Sequence, residues 1–304
     1  MNLRDLRYVL AVAEHRHFGK AAEASFVSQP TLSGQIKKVE EELGVTIFER
    51  SNRSVEITPI GEQLLIYARR VIEQVEAMEN LAKAAQDPLA GLLRLGVIPT
   101  LGPYLMPLIL QPLRKEFPDM HLVLREEITE QLLIHLRHHE LDAALIATPP
   151  DDDDLQEIAL FDEPFWLAFP AKHPLYNKDE IYEEDLPVDQ LLLLADGHCL
   201  TEQVMGVCHL DQSSAHDDLR ASSLETLMQL VGAGFGCTLV PALALRGSWA
   251  TDTGVILRQV HVANAERRIR LVARKTFPRA LALKALAELV CKHLPNTVRK
   301  VVKG

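Results

Sequence analysis

Leu3, Leu6, Val9, Leu10 and Ala13 recur at helical spacing, which predicts an amphipathic first helix. Phe18–Ala24 follows as a short helix whose small residues allow close packing. Ser28 is suited to cap a third helix, Pro30 is tolerated in its first turn, and Gly44 is placed to stop it after about Leu43. Leu32, Ile36, Val39 and Leu43 form its apolar stripe. Gln29, Ser33 and Lys37 make an opposite row, with Thr31, Gly34, Gln35 and Lys38 beside it. Phe48–Thr58 reads as a small β-hairpin, or wing, with Arg50 and Arg53 near its tip. Hydroxyls, amides and lysines on one helix face are what base edges and phosphates accept, but an ordinary solvated face carries the same residues.

Thr58-Pro59 opens a long helix in which Leu64, Ala68, Val71, Val75, Met78 and Ala82 repeat every 3.5 residues on average. It ends near Gln86, before Asp87-Pro88. Nothing else in the first 90 residues is expected to cover such a helix, so its stripe predicts a second copy of the chain. From Gly91 onward strands and helices alternate. Strands are expected at Leu92–Ile98, His121–Glu127, Ala143–Ala147, Phe165–Phe169, Leu191–Ala195, Cys237–Val240 and Ile269–Ala273. Helices are expected at Gly102–Phe117 (broken by prolines), Glu130–His139, Ser222–Gly232 and Ala280–His293. The pattern predicts two α/β subdomains, I at about 91–161 and 268–304 and II at about 162–267. The crossings fall near Phe161–Pro164 and Ala265–Arg268. A cleft between two such lobes suits a small ligand.

Composition changes this picture in three ways. With 304 residues, 47% of them hydrophobic, the chain supports more than one core, and no apolar run reaches the length of a membrane span. Four cysteines in a chain this size make no disulfide framework, so a reducing cytoplasm is expected, with no membrane association. The net charge of −10 lies wholly beyond residue 58, because residues 1–58 balance eight Lys/Arg against eight Asp/Glu. Charge therefore neither supports nor excludes DNA as a partner.

The candidate chemistry lies in Gly197–Cys208, where Cys199 and Cys208 stand nine positions apart and His198 precedes the first. On a helix these cysteines are separated by about 13 Å, against the roughly 4.4–6.8 Å between Cα atoms that a disulfide tolerates. The pair either closes a pre-formed loop, stays open until the segment is remodelled, or is two unrelated reduced thiols.

Ala21-Ala22, the Ser28–Ser33 turn and helix start, Leu43-Gly44 and Val45–Arg50 resemble the winged helix-turn-helix of LysR-type transcriptional regulators. The resemblance implies three parts: a DNA-binding domain at 1–58, a linker and dimerisation helix at 59–90, and a periplasmic-binding-protein-like regulatory domain at 91–304. It implies double-stranded DNA contacts from Ser28, Gln29, Pro30, Thr31, Ser33, Gln35, Lys37 and Lys38, with Arg50 and Arg53 in the wing. Gly197–Leu200, Gln203, Met205, Gly206 and Cys208, with Val97–Thr100, Glu127–Glu130 and Arg267-Arg268, are similar to the peroxide-sensing members of that family. This likeness implies that Cys199 is the peroxidatic thiol and Cys208 the resolving one. It implies that His198, Thr100, Thr129 and Arg267 (or Arg268, one position along) surround Cys199. Hydrogen peroxide, RNA polymerase, thiol reductants of the glutaredoxin or thioredoxin type and a homodimer or homotetramer follow as partners, with no cofactor or metal. A cation, arginine or protonated histidine, is expected to lower the Cys199 pKa below about 8.5. Thr201, Glu202, Val204 and Val207 depart from the family loop, which bears on packing rather than on the sulfur atoms.

Other residues are given structural roles. Cys237 is expected to be a buried strand residue and Cys291 a packed helix residue. His135, His138 and His139 are expected on a helix surface without an acidic constellation, and Asp151–Asp154 in a solvated loop. Two rival classes stand beside the peroxide-responsive reading. One is a LysR-type regulator that binds an organic metabolite in the cleft. The other is a thiol peroxidase or reductase, which would have no use for a DNA-binding head and lacks a G-x-G-x-x-G nucleotide loop here.

Overall fold

The computed structural model describes residues 1–50, 55–84, 89–210, 220–246 and 254–301, without the side chains of 50, 80–84 and 246. The chain divides into two units, Met1–Asp87 and Pro88–Gly304. In the first, helix α1 (Leu3–His15) opens with a reciprocal cap. The Asn2 side chain accepts from the Asp5 backbone, and the Asp5 carboxylate accepts from the Asn2 N–H. Helix α2 (Phe18–Ala24) is capped by His17 Nδ1 and buries Ala21 and Ala22. Helix α3 (Gln29–Leu43) starts at Ser28, whose Oγ accepts from Thr31 N–H, and stops at Gly44 with φ 70°.

Leu32, Ile36 and Val39 are buried, but Leu43 is 40% exposed, which corrects its place in the stripe. The chain turns at Gly44, and Ile47 and Phe48 fill the core from beyond the turn. Strands β1 (Phe48–Arg50) and β2 (Val55–Ile57) form the expected hairpin, with Phe48 opposite Ile57. Glu40 Oε1 accepts from the N–H groups of Ile47 and Phe48 and ties the hairpin to α3. Arg53 and the side chain of Arg50 lie outside the described residues.

Helix α4 (Pro59–Ala84) begins where the Thr58 hydroxyl accepts from Gly61 N–H at 2.9 Å and donates to the Thr46 carbonyl at 2.7 Å. The expectation that nothing within the chain covers this helix needs correction. Helix α1 packs on α4, and Leu65, Ala68 and Ala77 are buried within this single chain. Val71 and Met78 remain exposed, Leu64 and Val75 are half-buried, and the Ala82 side chain is not described.

The second unit comprises β3 (Gly91–Val97), α5 (Gly102–Glu116), β4 (Met120–Glu126), α6 (Thr129–Arg137), β5 (Ala143–Ile146), β6 (Leu155–Pro170), β7 (Glu180–Ile181), β8 (Leu193–Leu194) and α7 (Cys199–Val207). It continues with β9 (Arg220–Ala221), α8 (Leu224–Gly232), β10 (Thr238–Pro241), β11 (Val255–Val260), β12 (Glu266–Arg274), α9 (Ala280–His293) and β13 (Arg299–Lys300). The main sheet runs β4-β3-β5-β12-β6-β11-β7, and β10 and β13 also pair with β6.

Strand β6 is the spine. Its first part pairs with β12, and Phe165–Pro170 pairs with β10 and β11. Two cores follow from this. Leu93, Leu95, Leu145, Phe161, Ile269 and Leu286 belong to one, and Phe165, Leu167, Phe169, Val204 and Met228 to the other. The strand therefore passes from one subdomain to the other at Asp162–Pro164, and β12 passes back near Ala265–Ile269.

Helix α5 is continuous through Pro107 and Pro112, contrary to the expected break. Pro103 and Pro107 lie on its exposed side, where water can satisfy the carbonyl left without a partner. Ser223 caps α8, accepting from Thr226 N–H.

Candidate redox site and nucleic-acid interface

Helix α7 has Cys199 as its first residue and Cys208 as its C-cap. Leu200, Val204 and Val207 give it a buried face, and the Thr201 hydroxyl donates to the Leu194 carbonyl at 3.1 Å. Gln203 Nε2 donates across the subdomains to the Ala147 carbonyl at 3.0 Å. The segment is thus a regular helix, which separates the two cysteines by about 13 Å at the usual rise. All four cysteines are free. Cys199 packs against the core of the first subdomain, whereas Cys208 is buried in that of the second.

Arg267 and Thr100 meet beside Cys199. Arg267 is buried on β12 and donates from Nε to Glu163 Oε2 at 2.9 Å, from Nη1 to Thr100 Oγ1 at 2.8 Å, and from Nη2 to the Thr100 carbonyl at 3.0 Å. Arg268 points the other way, exposed and paired with Asp162 at 2.7 Å. Alternation along a strand explains the difference, since neighbouring residues face opposite sides.

Burial pushes the Cys199 thiol up. The Arg267 charge, the Thr129 hydroxyl and the backbone N–H of Cys199 itself pull it down, and Glu202 pushes it further up. The balance is upward, which corrects the expectation of a thiol held below its ordinary range. Thr129 Oγ1 is buried with the Cys199 sulfur as the one group it acts on among the described residues. Burial pushes His198 down, against a hydrogen bond with the Ser222 backbone. The cation near the thiol is therefore Arg267, not a protonated His198. Cys208 is pushed up to about 11 by burial alone.

In the first unit Ser28, Gln29, Pro30, Thr31, Lys37 and Lys38 are exposed on or beside α3, and Ser33 and Gln35 are half-buried. The Ser28 and Thr31 hydroxyls hydrogen-bond at 2.8 Å, and Lys37 lies 3.7 Å from Glu41. Phe26, just before this cap, is 95% exposed with φ 55°.

Cys237 is buried with its thiol pushed up to about 12, and Cys291 Sγ donates to the Leu160 carbonyl at 3.6 Å. His135 does have acidic company, contrary to expectation. Its Nε2 is 2.9 Å from Glu127, just before α6, and its Nδ1 2.6 Å from Glu140, where the chain turns back after His139. Among the described residues no group of three or more side chains is arranged to hold a metal ion. Sequence reasoning missed Glu163. Its signal is parity, since Phe161, Glu163 and Phe165 alternate onto one face.

Residues 3–62 match the bacterial regulatory helix-turn-helix protein model of the lysR family, and residues 86–295 match the LysR substrate binding domain. A hydrogen peroxide-inducible genes activator of Pectobacterium carotovorum subsp. carotovorum is 41% identical over 305 residues, covering 100% of each chain. Full-length OxyR C199D from Pseudomonas aeruginosa superposes with a TM-score of 0.82 at 39% identity, covering 98% of this chain and 100% of that one. A hydrogen-peroxide-bound OxyR mutant of Corynebacterium glutamicum gives a TM-score of 0.66 at 37% identity over 96% and 92% of the two chains. With both of its characteristic domains present and relatives similar along its whole length, this chain belongs to the LysR family of bacterial regulators, alongside the hydrogen peroxide-inducible genes activators.

Proposed function

We propose that this chain is a hydrogen-peroxide-responsive transcriptional regulator, switched by a reversible Cys199–Cys208 disulfide to control antioxidant genes. The observation that carries this reading is the position of the two thiols at opposite ends of one nine-residue helix, with the first beside Arg267 and Thr129. The Cys199 thiolate attacks one peroxide oxygen, the O–O bond breaks, and hydroxide leaves and takes up a proton. The product is a sulfenic acid at Cys199. Cys208 then attacks that sulfur, the S–S bond forms, and the sulfenic oxygen departs as water. Thr100 and Thr129 hydroxyls hold the peroxide, and Arg267 stabilises the anionic charge. A thiol reductant of the glutaredoxin or thioredoxin type returns both thiols.

The helix prevents the second step until it unwinds, so oxidation is coupled to a change of shape. Residues 1–58 bind double-stranded DNA through Ser28–Lys38 on α3 and through the wing with Arg50 and Arg53. Residues 59–90 link and dimerise, residues 91–304 sense, and the oxidised dimer or tetramer engages RNA polymerase. A two-fold dimer suits two half-sites. The protein works in the cytoplasm, where such a disulfide is transient.

The metabolite reading is weaker because the buried cation of the cleft, Arg267, is already paired with a buried carboxylate. The test is peptide mass spectrometry with differential alkylation after a stoichiometric pulse of hydrogen peroxide. A fast Cys199–Cys208 disulfide, reversed by a thiol reductant, is expected. Slow, scattered oxidation with Cys199 no faster than Cys237 or Cys291 would turn attention to the cleft, and repeated turnover of peroxide would mark a peroxidase.

A further inference from the structure

Glu163 lies on β6 where that strand crosses between the subdomains, and its side chain is fully buried. A carboxylate there is costly unless its oxygens are paired. Both are. Oε2 accepts from Arg267 Nε at 2.9 Å, and Oε1 accepts from the Leu243 backbone N–H at 2.7 Å in the turn after β10. Leu243 fixes Glu163, Glu163 fixes the Nε edge of Arg267, and Thr100 receives the other two nitrogens. An arginine held at three points is set in both position and plane.

We propose that Glu163 is a positioning residue of the redox site, holding the Arg267 guanidinium against Thr100 and beside Cys199. Its effect on the sulfur passes through Arg267, because the charges that act directly on Cys199 are those of Arg267 and Glu202. The biological consequence rests on the peroxide-sensor reading, whereas the arrangement of the site does not. Loss of the Glu163 charge leaves Arg267 as a lone buried cation, free to turn toward water, and the Cys199 thiolate loses its partner.

The experiment measures iodoacetamide alkylation of the Cys199 peptide against pH in the full-length chain, by mass spectrometry, for wild type, Glu163→Gln and Glu163→Asp. Thermal melting is followed in parallel. In Glu163→Gln the Cys199 profile is expected to move to higher pH, with alkylation at neutral pH slowed about tenfold, the size of one pKa unit. Glu163→Asp restores the charge and recovers part of the shift, and it serves alone if Glu163→Gln does not fold. A folded Glu163→Gln with a lower melting temperature and an unmoved Cys199 profile would reduce Glu163 to a structural ion pair and overturn the proposal. If only Glu163→Asp folds, a profile displaced to higher pH by less than about one unit supports it, and one identical to wild type or displaced to lower pH overturns it. These outcomes are separate from disulfide formation in wild type. A chain that alkylates as expected yet forms no Cys199–Cys208 bond with peroxide would sink the sensor reading alone.

Discussion

Arg267 Nη1 donates to the Thr100 hydroxyl at 2.8 Å across 167 residues of sequence. The contact joins β12 to the turn after β3, and with it the late strand that crosses between subdomains to the wall of the thiol site. Arg267→Lys keeps a charge but loses the planar fork that reaches Glu163 and Thr100 together. We expect this variant to oxidise at Cys199 at least tenfold more slowly, as read by stopped-flow with peptide mapping. An unchanged rate would mean that charge alone suffices.

Glu202 raises the Cys199 pKa, and it is exposed one turn along α7. Glu202→Gln removes that opposing charge. The Cys199 pKa should fall and peroxide oxidation at neutral pH should quicken severalfold, with melting unchanged. A slower reaction would reverse the assigned sign.

The Cys208 thiol is raised to about 11 in the folded chain, while an unfolded thiol titrates near roughly 8.5. A folded state that binds the proton more tightly has its full advantage below the unfolded pKa. That advantage is lost as pH rises through the folded one. Stability of the reduced chain should therefore decline between about pH 8.5 and 11, and Cys208→Ala should flatten that decline. Urea melts across this range test it, and equal slopes in the two proteins would remove Cys208 as the cause.

Gly206 lies inside α7, and a methyl group added there meets nothing within 4 Å. Gly206→Ala should stabilise the helix by about 0.5–1 kcal/mol. The sulfenic acid would then persist longer, with closure to the disulfide slowed about two- to fivefold if unwinding precedes the bond. Trapping the intermediate with dimedone measures this directly, and an unaltered lifetime would show that bond formation does not wait for the helix.

Phe26 takes a left-handed backbone at φ 55° although it is a bulky residue exposed to solvent. Phe26→Gly should stabilise the N-terminal unit by about 1 kcal/mol through relief of that strain. Denaturant titration followed by circular dichroism is the measurement, and a loss of stability would mean that the ring makes a contact worth more than the strain.

Local signals carry much of the fold. Ala280–His293 forms the expected helix residue for residue, and Gly44 stops α3 where expected, with a left-handed backbone. Strand β6 is legible only over Phe165–Phe169, because Asp162, Glu163 and Pro164 interrupt its apolar pattern. Asp162 and Glu163 have partners on the distant strand β12, which no local window contains. The same holds for the thiol site. Cys199 and Cys208 stand out in sequence, but Thr100, Thr129 and Arg267 are singled out by resemblance, and Glu163 only by its parity with Phe161 and Phe165, whose meaning emerges once β6 and β12 are seen to pair. The direction of the Cys199 shift is not legible in sequence, because the charged neighbours do not disclose how deeply the sulfur is buried.

The helix between the cysteines also bears on the reduction potential of the pair. Under the proposed Cys199–Cys208 bond, free energy that holds α7 together belongs to the dithiol form and is forfeited when that bond closes. For a two-electron couple, each 1.4 kcal/mol of such stabilisation raises the potential by about 30 mV. The packing of Leu200, Val204 and Val207 against the second core is therefore an electrochemical setting as well as a fold. A chain with a firmer helix is a stronger oxidant once oxidised and returns to its dithiol state more readily.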